Sequence, residues 1–275
     1  MSKPLFDPTV LALYYKVSPV ELVEFENLAL GQFTNDGFDI EIDDAGNARM
    51  APTSHYATEA EARNALEPLL RAWEINAAIQ FGDGRIRFTF RFKNSTIQDR
   101  AFGDGKNLTA TLSAQSQLTA NAVISEKHER LPTPPSNFAL SDEVERIWFR
   151  WTAYREGREP IASVAYYCIT VLENWIILEQ AQLGNSIGKR EVRRHAGSRL
   201  GFENAVLNDF AELCSEVGDY SQRRKEHAHD DTLKRPFTET EIQWMERILL
   251  KVTERIGQYS ANSGVIFKSL GKGDI

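Results

Sequence analysis

Apolar and polar positions along the chain fall into two regimes. In the first 130 residues short alternating runs dominate. Phe38-Asp39-Ile40-Glu41-Ile42 alternates apolar and acidic, the period-two pattern of a half-buried strand, and Asp43-Asp44-Ala45-Gly46-Asn47 supplies turn chemistry behind it, so a hairpin is predicted. Arg85 to Lys93 alternates most cleanly. Ile86, Phe88, Phe90 and Phe92 share one face, and Arg85, Arg87, Arg91 and Lys93 share the other, which reads as a solvated basic face over a packed aromatic one. The apolar series from Leu11 to Phe25 predicts a short strand and then a helical turn entered at Ser18-Pro19. Thr58 with Glu61 three residues on is a capping box; it opens a helix to about Trp73, with Ala62, Leu66, Leu69 and Leu70 on one face. A strand over 75–81 and a turn at Gly82-Asp83-Gly84 are predicted next, and further sheet over 107–113 and 118–124.

Leu131-Pro132-Thr133-Pro134-Pro135-Ser136 breaks regular structure, because proline removes backbone donors and fixes φ. A boundary there divides the chain into domains at 1–135 and 136–275. Beyond it the period becomes helical. Ser141 caps a helix carrying Val144, Ile147, Trp148 and Trp151. Ile161 to Leu183 is too apolar for a surface helix and is expected at the centre of a bundle. Phe202 to Val217 is a third helix. Thr238 and Glu241 form a second capping box, opening a last helix with Ile242, Met245, Ile248, Leu249, Val252 and Ile256 on its stripe, and the tail is expected to be an extension or a final short strand at Val265 to Phe267. The fold class is therefore α+β: an N-terminal antiparallel sheet with one or two helices, followed by an all-α helical bundle.

Composition changes this picture little. At 42% hydrophobic and 26% charged, the 275 residues describe a globular chain able to build a sizeable core. The longest apolar runs, near Ile161 to Leu172 and Trp175 to Leu178, are interrupted by Glu173 and Asn174, so no membrane span is expected. With no signal core at the N-terminus, a cytoplasmic location is the expectation. Cys168 and Cys214 sit in apolar helical patterns and read as buried thiols. The formal charge of −7 argues against nonspecific coating of nucleic acid. The acidity belongs to the first half: 15 Lys+Arg against 21 Asp+Glu in residues 1–150, leaving 17 of 32 against 18 of 39 in 151–275.

Candidate chemistry concentrates in Gly218 to Asp231, GDYSQRRKEHAHDD. Within seven residues it holds Arg223, Arg224, Lys225, Glu226, His227 and His229. Arginine offers a permanent cation with a planar donor fork suited to phosphate, and histidine moves a proton near neutral pH, so the pair suits phosphoryl chemistry without a metal. The stretch Lys189-Arg190-Glu191-Val192-Arg193-Arg194-His195-Ala196-Gly197-Ser198-Arg199, read as a linker, places five cations against one acid. It is equally a candidate for holding an RNA backbone and a solvated basic loop. Glu173 and Asn174, polar inside an apolar helix, need partners, and one of them is expected to reach the motif. A metal reading of His227-Ala228-His229-Asp230-Asp231 fails on Thr232, which stands where a further His is needed. The remaining histidines, His55, His128 and His195, lack ligand spacing, so no metal or cofactor is expected. P-loop, GxGxxG and GxSxG patterns are absent.

The helical half resembles the HEPN domain, an all-α bundle whose signature is an Arg followed after four to six residues by a His. Arg224-Lys225-Glu226-His227-Ala228-His229 fits with a gap of four, including the Ala before the His, and Arg223 to His229 fits with a gap of five. The resemblance covers roughly residues 141–260, and Lys225 stands where many members carry a short polar residue. It implies a HEPN-like bundle acting as a homodimer, with two motifs facing across one cleft. It further implies a metal-independent endoribonuclease of the toxin or antiviral-defence kind: His229 and Arg224 catalytic, Arg223 and His227 supporting, and Lys189, Arg190, Arg193, Arg194 and Arg199 along the RNA. The resemblance equally admits a non-catalytic dimerisation module, and a solvated charged helix face remains an alternative for the motif itself. A partner-binding or sensing role is expected of the acidic N-terminal domain.

Overall fold

Residues Pro8–Pro19 form the strand, β1, on which the N-terminal half is assembled. The structure is a computed structural model describing residues 7–20, 23–35, 37–99, 108–111, 126–185, 187–216 and 235–275, and its chain divides into two units, Met1–Ser136 and Asn137–Ile275. In the first, β1 lies inside a six-stranded antiparallel sheet of order β3-β4-β5-β1-β6-β7. The other strands are β3 (Gly31–Asn35), β4 (Phe38–Ile42), β5 (Asn47–Pro52), β6 (Phe88–Asp99) and β7 (Leu108–Thr111). A separate parallel pair joins β2 (Val23–Asn27) to β8 (Glu126–Arg130), with Val23 opposite Glu126. The helical turn expected after Ser18-Pro19 is therefore strand on both sides of a short break. The expected sheet at 118–124 lies outside the described residues.

Alternation places β4 as expected: Phe38, Ile40 and Ile42 are buried and Asp39 and Glu41 exposed, and the turn to β5 is held by Asp43, whose carboxylate accepts from the Asn47 backbone (2.7 Å) and side chain (2.9 Å). In β1 the neighbours Ala12 and Leu13 are both buried, because the register with β6 shifts between Val10 and Ala12, and a bulge turns consecutive side chains inward. On the sheet packs α1 (Glu59–Gln80), opened by the Thr58–Glu61 capping box. Trp73 is its anchor. The indole meets Phe33, Phe88 and Phe90 and donates Nε1–H to Pro132 O at 2.8 Å.

Further expectations in this unit are corrected. The strand predicted at 75–81 is the last two turns of α1, where Ile75, Ala77, Ala78 and Ile79 are all buried. A short apolar run has no decisive period, and the alanines with the glycine turn behind them suit a helix end. The strand predicted from Arg85 begins at Phe88, and Arg87 is buried rather than solvated: its guanidinium lies 3.2 Å from Asp83 and over the Phe81 ring.

Among the described residues the second unit holds the α-helices α2 (Asp142–Arg155), α3 (Ile161–Gln182), α4 (Lys189–Leu200), α5 (Asn204–Glu216) and α6 (Glu239–Ala261). The apolar α3 packs against each of the other four, which explains its all-round hydrophobicity. Length and composition alone would let α3 cross a membrane, contrary to the sequence reading, but 56% of its most apolar window is buried inside the unit. The stretch read as a linker at 189–199 is the helix α4; Val192, Ala196 and Leu200, spaced by four, are its buried stripe. Gly257 in α6 lets the Phe138 ring lie across the helix, since a Cβ there would sit 2.2 Å from the ring, and Ala139 N–H donates to Gly257 O.

The carboxyl-terminal residues form no strand at Val265 to Phe267. They meet the α4–α5 junction through one bridge, Phe202 to Leu270, and end in a 3-10 turn at Lys272–Asp274. Arg255 holds this junction. Its buried guanidinium donates to Leu200 O, Gly201 O (2.8 Å) and Lys268 O (3.0 Å), between the rings of Phe202 and Phe267. Burial pulls its pKa down. Gly201, at φ +65°, ends α4 in the left-handed conformation and leaves room for that guanidinium.

Candidate functional site

Arg223, Arg224, His227 and His229 lie outside the described residues, but both anchors of their segment are described. Upstream is the end of α5. Downstream, Arg235 forks onto Glu241 at 2.7 and 2.5 Å, while Glu241 closes the capping box of α6 by accepting from Thr238 N–H at 2.8 Å. The Arg235 fork and these cap hydrogen bonds pull the Glu241 carboxyl down to about 2. The segment therefore runs between a helix end and a tightly capped helix start.

Between those two helices lies a cavity of about 570 Å³, lined by Asp209, Glu212 and Leu213 of α5, Thr240, Glu241, Trp244 and Arg247 of α6, and Lys272. Trp244 is its aromatic wall. It is 8% exposed, packed edge-on against Phe210, and its Nε1–H is buried without a hydrogen-bond partner. Lys272 Nζ sits 5.3 Å from the centre of the Trp244 ring and 2.7 Å from Asp209 Oδ2.

The basic residues of α4 are engaged with α3. Arg193 Nε donates to Glu173 Oε1 and Arg199 Nη1 to Glu179 Oε1, both at 2.7 Å, and Arg199 also donates to the Tyr259 hydroxyl. The acids and the arginines are each six residues apart, so two matched rungs join the helices. Arg194 pairs with Glu191 within α4 at the surface. Glu173 thus finds its partner in Arg193, and Asn174 is exposed. Lys189 and Arg190 occupy the first turn of α4. Arg193 and Arg199 are thus each charge-paired with a carboxylate of the neighbouring helix.

Cys168 and Cys214 are buried, and burial pushes both thiols up, Cys214 to about 12, so neither is a ready nucleophile. Among the described residues no group of three His, Cys, Asp or Glu side chains is placed to hold a metal ion. Sequence reading missed the cavity. Trp244 and Lys272 are 28 positions apart, and no local pattern marks their meeting; the stripe read on α6, from Ile242 to Ile256, did not include Trp244.

The class defined by these features is an α+β chain with an antiparallel sheet unit and a helical unit built around one apolar helix. No family model, curated protein or solved structure matches the chain.

Proposed function

We propose that Asn137–Ile275 is a HEPN-like bundle that works as a homodimeric, metal-independent endoribonuclease. The observation that carries this reading is the helix order: a central apolar α3, then α4 and α5, then the capped α6, with Arg224 to His229 between α5 and α6 in sequence and with α5 and α6 both packed on α3. In this reading His229 removes the ribose 2′-OH proton, the 2′ oxygen attacks phosphorus, and the P–O5′ bond breaks. The leaving oxygen takes a proton, giving a 2′,3′-cyclic phosphate and a free 5′-OH. Arg224 stabilises the charge gathering on the phosphate oxygens. RNA contact falls to Lys189, Arg190, Arg193, Arg194 and Arg199, with Arg193, Arg194 and Arg199 exchanging Glu173, Glu191 and Glu179 for phosphate. Incubating an RNA pool in EDTA with the wild type, Arg224→Ala and His229→Ala tests this: cyclic-phosphate ends from the wild type only are expected. Equal products from all three proteins would remove the motif from the chemistry.

A second reading is a non-catalytic dimerisation module. Ile177, Leu178 and Leu183 near the end of α3 are exposed apolar side chains of the kind that an association surface uses, and they serve a dimer in either reading. Light scattering on Leu178→Glu separates the two: a dimer lost together with cleavage supports the nuclease, and a dimer lost in a protein that never cleaves supports the module. The acidic sheet unit is assigned a partner-sensing role in either case.

A further inference from the structure

We infer that the cavity between α5 and α6 is a seat for an alkylammonium group and that Lys272 occupies it as an internal placeholder. This goes beyond the nuclease reading and does not depend on it. A cation seat needs an aromatic face and an opposing carboxylate. Both are present. Trp244 supplies the face, fixed by Phe210 and only 8% exposed; Asp209 supplies the carboxylate; and the Lys272 ammonium already lies between them, 5.3 Å from the ring centre and 2.7 Å from the carboxylate oxygen.

Lys272 is a weak occupant for a built site. Its side chain is 64% exposed and that of Asp209 37%, so solvent screens their pairing. It is held near the seat by its backbone, because Leu270 N–H donates to Gly201 O, Glu203 N–H donates to Leu270 O, and Gly271 N–H is bonded by Asp274. The cavity of about 570 Å³ is far larger than one lysine head group requires. Its charge favours cations. Asp209, Glu212 and Glu241 line it against Arg247 and Lys272, so once Lys272 swings away an incoming ammonium meets three carboxylates and one guanidinium. Glu241 remains engaged with Arg235, which leaves Asp209 and Glu212 for the ligand.

Two sources present this chemistry, a free linear polyamine and a lysine side chain of a peptide. Calorimetric titration of the full chain with spermidine, and separately with a short lysine-containing peptide, distinguishes them. Lys272→Met empties the seat while keeping its apolar stem, and should bind at least one probe roughly tenfold more tightly than the wild type. Asp209→Asn, made in the Lys272→Met background, should reverse that gain while keeping the cavity's shape. Tighter binding of spermidine alone assigns the site to small amines, and tighter binding of the peptide alone assigns it to protein lysines. No binding of either probe by Lys272→Met, or binding unchanged by Asp209→Asn, would overturn the inference.

Discussion

Glu74 in the sheet unit and Arg255 in the helical unit are both buried charged side chains that bond to backbone, and their signs are opposite. Glu74, on α1, accepts from the Phe90 N–H of β6 at 3.0 Å and from Arg71 at 3.2 Å, so a carboxylate ties helix to sheet. Arg255, on α6, donates to three carbonyls where α4 ends and the carboxyl-terminal segment passes. The difference follows from what each architecture leaves unpaired. A helix end exposes carbonyls and calls for a donor, whereas an amide at the start of a strand calls for an acceptor. An arginine fork serves several carbonyls at once, so the helical unit concentrates in one residue what the sheet unit spreads over strand registers.

The sharpest way to break this comparison is Arg255→Met. Withdrawing the guanidinium from three carbonyls, of which Gly201 O keeps the Leu270 N–H, is expected to cost about 3 kcal/mol, and amide exchange should rise in α4, α6 and residues 265–271 but not in the sheet unit. Loss of less than about 1 kcal/mol in urea unfolding would show that water replaces the guanidinium. Glu74→Leu should cost less, about 2 kcal/mol, because one amide loses its partner and Arg71 can turn outward; exchange should rise at Phe90 and along α1. Equal costs for the two variants would erase the distinction between concentrated and distributed fastening.

The smallest effect is electrostatic. Glu241 has a folded pKa of about 2, below the ordinary carboxylate value, so its contribution to stability is present above the unfolded pKa and is lost as pH falls from about 5 toward 2. Arg235 is 56% exposed, which screens the pair, and the contribution is about 1 kcal/mol. Arg235→Gln should flatten that part of the stability–pH profile, and an unchanged acid limb would assign the low pKa to the cap alone.

The local rules of the chain were sufficient for several elements. Both capping boxes, at Thr58 and Thr238, open helices where Ser/Thr-x-x-Glu precedes an apolar stripe. The alternation in Phe38–Ile42 sets which face of β4 is buried, and the all-round hydrophobicity of Ile161–Gln182 marks the central helix, because a residue's burial is legible wherever the period of its element is unambiguous. The motif around Arg224 and His229 was legible as chemistry and stands as proposed.

What only the tertiary structure decided concerns short runs and long side chains. Residues 75–80 became helix as the continuation of α1, with Ile75, Ala77, Ala78 and Ile79 buried, where the apolar run by itself had no decisive period. The cationic stretch 189–199 became α4 because Val192, Ala196 and Leu200 found a core to face. Arginine and lysine heads reach several ångströms from their own Cα, so the sequence carries the charge of Arg193, Arg199, Arg255 and Lys272 but not its destination. Their partners, Glu173, Glu179, the carbonyl cluster at Gly201 and the Trp244–Asp209 seat, are distant in sequence, and only the folded bundle brings them within bonding distance.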